Sequence, residues 1–109
     1  MGLDVNIESC CRDPRYHLKR WKDEPVKVHF GNEGQPIVDY IQNELGHTFK
    51  DNLDIIHLKW NEFRMLVDYL ELNVEWVGKL KFIGDSRWYE LGIMIGCCQD
   101  CGVDVYASW

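Results

Sequence analysis

The hydrophobic positions of this chain change period several times, and each change marks an element. Leu3, Val5 and Ile7 alternate with Asp4, Asn6 and Glu8, the period-two pattern of a strand with one buried face. Residues 9–25 follow without a period and contain two turn-favouring pairs, Asp13-Pro14 and Glu24-Pro25. Val26, Val28 and Phe30 then alternate with Lys27 and His29, predicting a second strand that ends in the loop Gly31-Asn32-Glu33-Gly34. These two strands would form a hairpin with a long connection. From Pro36 the spacing turns helical, with Ile37, Tyr40, Ile41 and Leu45 on one stripe and Gly46 as the stop. Pro36 suits the first turn because its missing N–H is not needed there.

Ile55, Ile56 and Leu58 make an apolar run too short to separate a strand from the lead-in to a helix. Phe63, Leu66, Val67 and Leu70 mark a helix over about 61–72, with Glu62, Arg64, Asp68 and Glu71 mostly outside. Residues 74–84 read as a strand or extended loop, because Leu80 and Phe82 alternate with Lys79 and Lys81 while Gly78 interrupts any helical repeat. The last quarter is the most regular. Asp85 and Ser86 offer N-cap oxygens, and Trp88, Leu91, Ile95 and Cys98 recur at three- and four-residue steps. Met94 and Cys101 widen that stripe, and Gly102 is placed to stop the helix. Beyond it Val103, Val105 and Ala107 alternate with Asp104, Tyr106 and Ser108 as a final strand.

The opening Gly2-Leu3-Asp4-Val5 and the late Gly102-Val103-Asp104-Val105 share a pattern, which hints that the terminal strands are neighbours. The fold expected is α+β, one domain over residues 1–109. It would have an antiparallel or mixed sheet of about four strands and three helices packed mainly on one face.

A chain of 109 residues, 46% hydrophobic and 28% charged, is long enough for one core and too ordinary in composition for a disordered protein. Its apolar runs are too short to span a bilayer, and its first residues lack a signal peptide's basic start and long apolar centre, so a cytoplasmic protein is expected. The net charge of −6 argues against nucleic acid as a bulk partner. The charge is uneven: residues 1–50 hold seven basic against eight acidic residues, and residues 51–109 hold five against ten. Such asymmetry favours steered association with a charged partner, or contact between copies.

Five cysteines are the sharpest chemical feature. Cys10-Cys11 and Cys98-x-x-Cys101 would converge if the terminal strands pair, and four thiolates close a structural zinc site. Against this, Cys98 and Cys101 fall on the apolar stripe of the last helix, where a cysteine packs as a small hydrophobe. The same pair lies near a helix C-terminus, where the dipole has the wrong sign for a redox thiol. His57, with Asp54 or Glu62, is the best candidate general base, followed by His47 with Asp51. Gly31-x-x-Gly34 lacks the Lys-Ser/Thr of a phosphate loop, and Gly92-x-x-x-Gly96 would permit close approach to the sheet or another helix. The segment Tyr16 to Lys22 is basic and aromatic, but one such stretch in an acidic chain reads as a solvated loop.

The leading expectation is a non-enzymatic acidic module that binds another protein, as an inhibitor or immunity-type factor against a basic partner would. Asp68, Glu71 and Glu75 would supply electrostatics, Trp76 and Trp109 anchoring, and self-association is a further expectation. No cofactor, metal or membrane is required. The competing readings are a zinc-stapled domain and a small enzyme using His57.

Overall fold

The computed structural model describes residues 2–9, 26–50 and 53–109. Its strands are β1 (Asp4–Ser9), β2 (Lys27–Gly31), β3 (Leu53–Leu58) and β4 (Val103–Ser108). Its helices are α1 (Gln35–Asn43), α2 (Trp60–Asn73), α3 (Glu75–Ile83) and α4 (Ser86–Cys97). The four strands form one antiparallel sheet in the order β2-β1-β4-β3, so the first and last strands are central neighbours, as the shared terminal pattern suggests.

The register follows from the alternation. Val28, Ile7, Val105 and Ile56 stand opposite one another across all four strands, and every one is buried. A slip of one residue would turn this row to solvent, which is why the pattern specifies the pairing so tightly. Ser9 shares the buried face and is satisfied there: its hydroxyl accepts a hydrogen bond from the Val26 amide at 2.9 Å. The helices cover this face, and Phe63, Leu66, Leu91 and Met94 complete the core. Each such side chain contributes about 1.5–3 kcal/mol by leaving water. The opposite face, with Asn6, Glu8, His29, His57, Asp104 and Tyr106, is half-buried or exposed.

Two expectations are corrected. Residues 74–84 are not a strand; Glu75–Ile83 form α3, which brings the helices to four rather than three. Val77 and Leu80, three apart, are its buried positions, while Phe82 and Ile83 are 87% and 71% exposed, so the alternation of Leu80 and Phe82 joined a buried residue to an exposed one. Gly78 is accommodated because α3 crosses the end of α2, where an added Cβ would lie 3.1 Å from the Glu71 carbonyl oxygen. Likewise Gly92 and Gly96 do not serve close approach among the described residues, since an added Cβ at either would meet nothing of them within 4 Å.

The last helix starts as expected and stops earlier. Asp85 caps it by accepting the Arg87 amide at 2.8 Å, and the Arg87 side chain adds two further bonds to the same carboxylate. Those bonds hold the Asp85 carboxyl below its ordinary range, against a smaller opposing effect of burial. At the other end Cys98 is the C-cap, and Gly102, at φ 71°, turns the chain into β4 while its amide donates to the Cys98 carbonyl at 2.9 Å.

Candidate functional site

Two places on this frame concentrate chemistry. The first is a cleft of about 550 Å³ where β3 hands over to α2 and α4 hands over to β4. Its lining includes His57, Lys59, Trp60, Gln99 and Cys101. His57 and Asp104 are cross-strand partners on the open face, and the His57 Nδ1–H donates to Asp104 Oδ1 at 2.9 Å. Gly102 crosses directly over the ring: an added Cβ there would lie 3.0 Å from Nε2 and would collide with the Leu58 carbonyl oxygen. The residue before it, Cys101, shares the cleft.

The wall opposite is fixed by Trp60. Its indole N–H donates to the Ile95 carbonyl at 2.7 Å, one of the carbonyls that the last turn of α4 leaves without an intrahelical partner. Arg64 stands over the indole ring, 5.4 Å from its centroid. This single side chain therefore bolts the start of α2 to the end of α4.

The partner expected for His57 is corrected. Asp54 lies three residues away on a strand, so it projects from the opposite face, where it accepts the amides of Lys50 and Ile55. Glu62 folds back instead, accepting the Lys59 amide at 3.1 Å and the His47 ring N–H at 2.9 Å. Burial alone would raise the Glu62 carboxyl, but those two donors bring it below its ordinary value. Asp51, proposed beside His47, lies outside the described residues. Asp104 was missed because it sits 47 positions from His57 in sequence; only the strand register brings them together.

The cysteines divide. Cys97 and Cys98 are buried, their sulfurs 3.6 Å apart as thiols in the core. Cys101 lies past the end of α4, which stops at Cys97; it packs, partly buried, against the core and also lines the cleft. Cys10, Cys11 and the stretch Tyr16 to Lys22 lie outside the described residues. Among the described residues, no three His, Cys, Asp or Glu side chains are grouped to hold a metal ion.

The second place is the outward side of α2. Met65, Tyr69 and Leu72 recur at four- and three-residue steps outside the face that carries Phe63, Leu66, Val67 and Leu70, and are 51%, 39% and 84% exposed. Tyr69 packs on Tyr40 of α1 with ring centroids 4.5 Å apart. Burial, followed by the negative charges of Glu44 and Asp68, raises the Tyr40 hydroxyl, which places those acids around the pair. Asp68 is exposed on the same helix face, and Glu71 is half-buried beside it. Glu75 is exposed and ion-paired with Lys79 at 2.9 Å. Trp76 is half-buried against the core, 6.0 Å from Phe30 and under the Arg87 guanidinium, and Trp109 is 43% exposed with its ring edge-on to Phe49. The outward stripe is a second apolar period in the sequence, carried by residues outside the core face.

Among the described residues, no helix is long and apolar enough to cross a membrane. No family model, curated protein or solved structure matches this chain, so its activity has to be read from its own geometry.

Proposed function

We propose that this chain is an acidic protein-interaction module that binds a basic partner through the outward side of α2. The observation that carries the reading is the second apolar stripe on that helix, Met65, Tyr69 and Leu72, lying on the side away from the core. A helix facing only water gains nothing from such a stripe, whereas one that receives a partner's amphipathic helix does. Asp68, Glu71 and Glu44 rim it with negative charge, which steers association toward Lys- or Arg-bearing surfaces. Glu75 and Trp109 would extend the contact, and Trp76 would contribute by holding Arg87 rather than by anchoring. An inhibitor or immunity-type role fits this chemistry, and a second copy is the alternative occupant. The buried thiols of Cys97 and Cys98 fit a reducing compartment such as the cytoplasm.

The test is a partner capture from native lysate with the wild-type chain, the Met65→Glu/Leu72→Glu variant and the Asp68→Lys/Glu71→Lys variant. All four positions have side chains outside the core, so thermal melting should stay close to wild type in both variants. The reading expects one co-purifying basic protein, lost with the first variant and bound with a weakened salt dependence by the second. Equal capture by all three chains would overturn it.

A second reading, a small enzyme built on His57, is favoured by the hydrogen-bonded Asp104 and the shared cleft.

A further inference from the structure

We propose that the exposed apolar end of α3, Phe82 and Ile83, docks onto the outward stripe of α2 in a second copy of this chain, closing a two-fold symmetric dimer. The inference rests on the same α2 stripe as the binding function above and gives that stripe a second copy as occupant, with which a basic partner competes.

Three observations meet here. Phe82 and Leu72, at 87% and 84%, are the most exposed large apolar residues among those described, and Ile83 follows at 71%. The exposed residues are also continuous. Gly78 marks the side of α3 that crosses the end of α2, because an added Cβ there would lie 3.1 Å from the Glu71 carbonyl oxygen. Phe82 comes four residues after Gly78 and shares that side of the helix, while Leu72 follows Glu71 directly at the crossing. Met65, Tyr69 and Leu72 therefore lead along α2 to the crossing, and Phe82 and Ile83 carry the strip beyond it. Monomeric proteins rarely leave a contiguous apolar strip of this length in water. The third observation is the sign of the flanking charge. Asp68 and Glu44 stand around the Tyr40–Tyr69 pair at the α2 end, whereas Lys79 and Lys81 are exposed beside Phe82 at the α3 end. Glu75 holds Lys79 at 2.9 Å, so Lys81 supplies the net positive charge there.

A strip that is apolar along its length, acidic at one end and basic at the other is complementary to itself when turned about a two-fold axis. Phe82 and Ile83 of one copy then meet Met65, Tyr69 and Leu72 of the other, and the reverse contact forms at the same time. Ten such side chains remove on the order of 1,000 Å² from water, the lower bound for a specific interface. The dimer is accordingly weak, and the meeting of Lys81 with Asp68 and Glu44 makes it sensitive to salt. Its formation covers the α2 stripe, so an external partner gains access only to the separated chains.

The experiment is sedimentation velocity of the full chain over about 5–500 µM, the range suited to an interface of this size. Association should rise with concentration and level off at two chains, and raising NaCl from about 0.05 to about 0.5 M should weaken it by about 3-fold or more. Phe82→Gln/Ile83→Gln should weaken it by at least about 30-fold, as loss of a central anchor does, with thermal melting close to wild type because both side chains lie in water. Asp68→Lys and Lys81→Glu should each weaken it by about 2–5-fold, and the double variant, with both signs exchanged, should recover the loss. A chain that stays monomeric over the whole range overturns the proposal. So does a mass that climbs past two chains without levelling, a dimer indifferent to Phe82→Gln/Ile83→Gln, or a double reversal that recovers nothing. Flotation with vesicles of about 30% phosphatidylserine tests the other occupant: a monomer that binds them through Phe82 and Ile83 puts a lipid surface at this corner and overturns the dimer. The two readings fail separately, since a monomeric wild-type chain that still captures a basic protein overturns self-association alone, and a dimer that captures none when diluted overturns the binding function alone.

Discussion

Replacing Gly102 by alanine tests the corner on which both the fold and the cleft depend. Two costs are separable. The residue sits at φ 71°, and an L side chain there is strained by about 1–2 kcal/mol, partly offset by up to about 1 kcal/mol because alanine stiffens the unfolded chain. The new Cβ would also collide with the Leu58 carbonyl oxygen, a backbone atom at the end of β3 that cannot swing aside as a side-chain tip could. Forcing such a shift into a packed region costs about 2 kcal/mol more, so the expected loss is about 3 kcal/mol. At about 4 °C per kcal/mol for a domain near this size, the melting temperature should fall by about 12 °C. Gly84→Ala is the internal control: φ is 70° there, but an added Cβ meets nothing within 4 Å. Its expected loss is only about 1 kcal/mol, from backbone strain alone. Both variants are read by thermal and urea unfolding followed by circular dichroism. If Gly102→Ala melts within about 4 °C of Gly84→Ala, the close crossing over Leu58 and His57 is wrong, and with it the shape of the cleft.

Further outcomes follow from the same physics. Gly92→Ala and Gly96→Ala should each stabilise the chain by about 0.5–1 kcal/mol in urea unfolding, since both lie inside α4 facing open space; a loss would mean that this face is covered in solution. Asp85→Ala should cost about 1 kcal/mol through loss of the cap and of the Arg87 bonds. Because the folded state holds the Asp85 carboxyl below its unfolded value, its stabilisation is present above that unfolded value and is lost as pH falls through the lower, folded one. The wild type and Asp85→Ala stability curves should therefore converge toward acid, and a constant gap down to about pH 2 would refute the assignment.

The alternation of Leu3, Val5, Ile7 and of Val103, Val105, Ala107 determined which face of each terminal strand is buried, and so excluded a one-residue slip between them. Helical spacing and caps located α1, α2 and the start of α4 for the same reason: periodicity is local and is written in residues three or four apart. Residues 74–84 defeated this logic, because only two buried positions of α3 face the core while its exposed end is apolar. What tertiary structure alone decided was partnership across long separations. Sequence proximity offered Asp54 to His57, whereas strand geometry points Asp54 to the other face and delivers Asp104. The helix stop at Cys97 put Cys101 on the turn before β4, where it packs against the core and also lines the cleft. Local pattern states which side of an element is apolar; it does not state what another element, dozens of residues away, will bring up against the polar side.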